Sequence, residues 1–83
     1  MDLVERVGRS RVLPVPAERR RLRVELGIQQ RELAQELAVS VQTIWSWERG
    51  RSQPTGLNRE RYAAALSQMQ ALLATRQNGN IIS

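Results

Sequence analysis

The chain has 83 residues with no cysteine and no histidine, which excludes a disulfide framework, a Cys/His metal site, a thiol nucleophile and an imidazole base. Its length allows one domain whose core is too small to back a deep catalytic cleft, so an enzyme is not expected, and no apolar run approaches the ~18 residues of a membrane span. The net charge is +5 and all 13 basic residues are arginine, whose planar fork meets phosphates and base edges at two points, although an arginine-biased solvated face has the same composition.

Residues 1–13 mix Asp2, Glu5, Arg6, Arg9 and Arg11 with Gly8 and scattered valines, without a period, and are read as a flexible basic arm. Their acidic start is unlike a signal peptide, and with no apolar span the expected location is the cytoplasm. The stretch LPVPAERRRLRVELG predicts a first helix from about Pro16 to Leu26. Pro14 and Pro16 fit the approach and first turn, Glu18 suits the positive end, and Gly27 fits the exit. Leu22 and Leu26 make its inward face, with Ala17 a further candidate.

In IQQRELAQELAVS, Leu33, Ala34 and Leu37 recur at helical spacing opposite Gln30, Arg31, Gln35 and Glu36, which predicts a second helix over Gln30–Leu37. Ser40 is placed to cap a third helix from Val41, its hydroxyl accepting from the backbone N–H of Gln42 or Thr43. Ala38, Val39 and Ser40 are then the whole connection, short enough that the two helices cross steeply. The third helix ends at Gly50, and Pro54 in RSQPTG bars its continuation. LNRERYAAALSQMQALLATR predicts a long fourth helix, about Leu57 to Arg76, with Tyr62, Leu66, Met69 and Leu73 in one stripe. The folded unit is residues 14–76, and residues 77–83 are read as a disordered tail.

Both tryptophans lie in VSVQTIWSWERG. At about 100° per residue, Ile44 and Trp47 define one buried direction, and Trp45 lies about 130° away from it. Trp47 is therefore core, whereas Trp45 borders an outer side made of Gln42, Ser46 and Arg49. A glutamine amide can give and take with adenine, a serine hydroxyl serves either way, and a threonine methyl can touch the thymine methyl. Plain solvation of the same polar residues fits the wheel equally well. Trp45 admits three roles: packing on DNA, lying over neighbouring arginines, or anchoring a protein partner.

The segment QRELAQELAVSVQTIWSWER resembles the helix-turn-helix of lambda-repressor-like, Xre-type DNA-binding proteins. Leu33, Ala34 and Leu37 supply the apolar, small and apolar positions, Val39 the turn, Ile44 and Trp47 the core of the recognition helix, and Glu48 and Gly50 its end. The similarity extends from about Arg19 to Leu66. It implies an all-α domain of about four helices that binds double-stranded DNA as a transcriptional regulator without cofactor or metal.

Under that resemblance Val41, Gln42, Thr43, Trp45 and Ser46 are base-contact candidates, and Gln30, Ser40, Arg49 and Arg51 are phosphate-contact candidates. Arg6, Arg9 and Arg11 are possible minor-groove contacts of the arm. Arg23 is expected to pair with Glu48, tying the first helix to the third. The resemblance also implies a homodimer, for which Tyr62, Leu66, Met69 and Leu73 are the candidate surface. Two departures stand out. Ala38 occupies a turn position that is usually glycine, so a slightly different bend is expected, and Arg19 occupies an apolar position, so Leu13, Val15 or Ala17 is expected to close that end of the core. An antitoxin of a toxin pair and an architectural factor of a phage or mobile element are the alternative functions.

Overall fold

The structure is a computed structural model that describes residues 12–82, with side chains as far as Arg76. Arg6, Arg9 and Arg11, and most of the arm expected over residues 1–13, lie outside the described residues. Four helices follow in order: α1 (Pro16–Glu25), α2 (Gln30–Leu37), α3 (Val41–Glu48) and α4 (Gly56–Ile82). Pro16 opens α1, where its missing N–H has no helical partner to lose. Arg21 pairs with Glu18 and, at 2.8 Å, with Glu25, but these exposed pairs on one face contribute little to stability.

Three helix ends close in the same way. After α1, Ile28 N–H donates to Arg23 O and Gly27 N–H to Val24 O; after α2, Val39 N–H donates to Ala34 O and Ala38 N–H to Gln35 O; after α3, Arg51 N–H donates to Ser46 O and Gly50 N–H to Trp47 O. Each closure requires one left-handed residue, and these bonds satisfy carbonyls that the helix itself leaves without partners. Gly27 and Gly50 supply it at two ends, and Ala38 supplies it at the third with φ 58°. The turn is thus not bent differently to spare the alanine. The alanine accepts the left-handed geometry because the tight passage from α2 to α3 leaves no other route. Ala38→Gly is expected to stabilise the domain by about 1 kcal/mol, seen as a higher urea midpoint at unchanged slope. A lower midpoint would show that the strain is already relieved.

The core joins all four helices: Leu22 from α1, Leu33, Ala34 and Leu37 from α2, Ile44 and Trp47 from α3, and Tyr62, Leu66 and Met69 from α4. Ala34, the small residue expected where α3 crosses α2, is 2% exposed. The Trp47 and Tyr62 rings pack with centroids 4.8 Å apart, tilted by 32°. This placement corrects the dimer surface expected on α4, since Tyr62, Leu66 and Met69 are buried inside their own domain and Leu73 packs against the same core. The reason is size: α1 to α3 cannot enclose their apolar sides alone, and α4 must cover them.

Two further corrections concern boundaries. Helix α4 continues to Ile82, past the end expected at Arg76. No proline lies beyond Arg76 to block it, and Gly79 costs a helix only about 1 kcal/mol. At the other end of the core, Leu13 packs inward but Val15 and Ala17 are exposed. Arg19 itself fills the apolar position, only 4% exposed. Its Nε donates to Pro14 O at 2.7 Å, its Nη1 to Trp47 O at 3.1 Å and its Nη2 to Gln53 Oε1 at 3.4 Å. Its Cζ lies over the Tyr62 ring, 6.0 Å from the centroid. A guanidinium whose donors meet carbonyls and whose face meets an aromatic ring can be buried without a carboxylate.

Candidate functional site

Helix α3 is fixed at both ends and along one side. At its start Ser40 Oγ accepts from Thr43 N–H at 3.1 Å and lies 2.8 Å from Thr43 Oγ1, so cap and hydroxyl pair are one unit. At its end Gly50 has φ +71°, and a Cβ there would stand 3.2 Å from Pro16 Cγ, so the glycine serves both the turn and the close passage of α1.

Along the inner side, Ile44 and Trp47 enter the core and Glu48 is only 5% exposed. Arg23 meets the Glu48 carboxylate at two points, Nε to Oε2 at 2.6 Å and Nη2 to Oε1 at 2.9 Å, and its Nη1 donates to Ile28 O at 2.8 Å. Gln30 Nε2 donates to Glu48 Oε1 at 3.1 Å. One carboxylate therefore binds α1 and α2 to α3. Burial pushes the hydroxyl of nearby Tyr62 up to about 12, with the Glu48 charge adding to the effect, so it is neutral at ordinary pH.

The outer side of α3 holds the remaining candidates together. Val41 and Gln42 are exposed, Thr43, Trp45 and Ser46 are half-buried, and Arg49 and Arg51 are exposed just beyond. Among the described residues the Gln42 side chain has no hydrogen-bond partner, so its amide is available along both edges. The Cζ atoms of Arg49 and Arg51 lie 4.8 and 5.3 Å from the Trp45 ring centroid. Gln30, expected among the phosphate contacts with its amide and the free backbone N–H groups together, has one N–H of that amide on Glu48, whose carboxylate stands beside the start of α2. At the start of α2 the second amide N–H and the backbone N–H groups of Gln30 and Arg31 remain for an anion, since the Gln29 side chain already accepts from Glu32 N–H.

Two residues join the site that the sequence reading left out. Ser52 Oγ lies 2.7 Å from Ser46 Oγ, brought there by the reversal at Gly50. Arg20 lines a shallow groove with Pro16, Ala17, Gln30, Trp45, Glu48 and Arg49. The signal for Ser52 was present in a helix-closing glycine standing between two serines six residues apart. No local pattern places Arg20, because its neighbours depend on how α1 crosses α3.

The result is a side of one short helix that offers amide, hydroxyl and methyl groups, flanked by guanidinium groups, with the one carboxylate of the groove neutralised by Arg23. Among the described residues no helix is long and apolar enough to cross a membrane. A helix-turn-helix family model matches residues 20–67, more than half of the chain, from the middle of α1 into α4. No curated protein and no solved structure matches the chain.

Proposed function

The chain belongs to the helix-turn-helix family as an all-α, lambda-repressor-like DNA-binding domain with a long C-terminal helix, and we propose that it is a sequence-specific transcriptional regulator that reads the major groove with α3. Val41, Gln42, Thr43 and Ser46 face the base edges, with Trp45 at their flank. Ser40, Arg49, Arg51 and the backbone at Gln30 hold phosphates and set the register. Arg6, Arg9 and Arg11 follow the adjacent minor groove, and the protein works in the cytoplasm at the nucleoid. The observation that carries this reading is the division of α3, whose Ile44, Trp47 and Glu48 are fully inside while Val41 and Gln42 are outside without partners.

A single domain of this size reads few base pairs, so two copies are expected on DNA, with half-sites about 34 Å apart. Their contact cannot be the buried Tyr62, Leu66 and Met69. It lies instead on α4 farther along, where Leu72 is 55% exposed. An antitoxin or an architectural factor would use the same DNA-facing helix, and neither is favoured by a feature of the described residues.

Selection from random duplexes tests the reading and is expected to enrich a site with two inverted half-sites. On that site Gln42→Ala should cost about 1–3 kcal/mol and relax preference at one or two base pairs. Arg51→Ala should weaken every sequence alike and reduce the salt slope by about one unit. No enrichment, or an unchanged preference in Gln42→Ala, would remove α3 from the major groove.

A further inference from the structure

Trp45 is the largest side chain on the outer side of α3, and the two arginines that follow the helix both lie over its indole, with Cζ to centroid distances of 4.8 Å for Arg49 and 5.3 Å for Arg51. Among the described residues neither arginine is in an ion pair. Two long exposed side chains are thus gathered by one ring. The backbone makes this possible: Arg51 N–H donates to Ser46 O at 3.0 Å, and Ser52 meets Ser46, so the reversal at Gly50 brings Arg51 back beside the turn that carries Trp45.

Stacking uses the face of a guanidinium and leaves its edge, where all five N–H groups lie, for oxygen acceptors. A stacked arginine therefore remains competent to hold a phosphate at two points, and it has fewer rotamers to lose when it does so. Trp45 and Arg49 also share the groove with Arg20, so the gathered charges stand beside a further guanidinium.

We infer that Trp45 is a positioning residue that sets Arg49 and Arg51 in phosphate-binding geometry before DNA arrives, and that it is not itself a base contact. The inference rests on the proposed reading of α3 as the DNA-facing helix. It departs from the sequence expectation that placed Trp45 among the base contacts. A ring that already carries two guanidinium groups has its surface occupied by the protein's own side chains.

The test is a set of duplex titrations over a range of salt, using the selected site and unrelated sequences, with wild type, Trp45→Phe, Trp45→Ala, the Arg49→Ala/Arg51→Ala double variant and the triple variant. Trp45→Ala is expected to weaken binding about tenfold on all sequences alike, and Trp45→Phe to retain most of the affinity. Added to the double arginine variant, Trp45→Ala should cause no further loss. An equal loss in that background, a changed sequence preference, or no loss in Trp45→Ala alone would each overturn the role. In the free protein, side-chain protons of Arg49 and Arg51 should be displaced upfield by the ring and return to ordinary positions in Trp45→Ala. Absence of that displacement overturns the stacking whether or not DNA binds. A wild-type chain with no salt-dependent duplex binding would instead refute the DNA reading and the positioning role with it, while the proton shifts still report the stack.

Discussion

Trp47→Ala is expected to cost about 3–5 kcal/mol of folding stability, most of what a domain of this size commonly has. The indole is only 3% exposed, and its ring packs on Tyr62 at 4.8 Å. Removing it opens a cavity between α3 and α4 that the surrounding Leu22, Ile44 and Leu66 side chains cannot fill without leaving their own positions. The same residue's carbonyl accepts from buried Arg19 at 3.1 Å, so a shift of α3 into the space would also strand that guanidinium. Thermal unfolding followed by circular dichroism measures the effect. A fall in melting temperature of less than about 5 °C would contradict the assignment of Trp47 as the centre of the core.

The second large effect is expected from Glu48→Ala, at about 3–5 kcal/mol. Its loss leaves Arg23, 8% exposed, with a buried charge whose two-point partner is gone, and it frees the Gln30 amide. Most of that cost is the uncompensated charge. Replacing Arg23 and Glu48 together by leucine should therefore recover a large part of it, since an apolar pair of similar volume often replaces a buried ion pair at little net cost. Urea unfolding of Arg23→Leu, Glu48→Leu and the double variant gives the coupling directly, and a coupling near zero would show that the pair is not what joins α1 to α3.

Much of this arrangement is legible in the chain. Pro16, Gly27, Ser40, Gly50 and Pro54 mark helix starts and stops through their backbone chemistry, which acts within a few residues. The two sides of α3 follow from helical periodicity alone, because Ile44, Trp47 and Trp45 are too close in sequence for any distant element to rearrange their directions. The Arg23 and Glu48 pair was accessible only through the family resemblance, since nothing local joins positions so far apart.

What could not be read depends on partners brought together by the fold. Arg19 reads as a surface charge in a run of arginines, and only the oxygens of Pro14, Trp47 and Gln53 with the Tyr62 ring make its burial tolerable. The stripe on α4 has a clear period, but period gives a direction and not the identity of what lies there. Gln30 shows the same limit on a smaller scale, because its amide was expected to face outward and is drawn to a carboxylate eighteen residues away in the chain.

The separation within α3 bears on how such a domain changes its target. Val41 and Gln42 are exposed and lie outside the core, while Ile44, Trp47 and Glu48 hold the helix in place. On the proposed reading, substitutions at the outward positions alter the preferred sequence with little effect on folding. On that reading, duplicated copies of this domain can diverge in the DNA they recognise while the scaffold beneath stays the same.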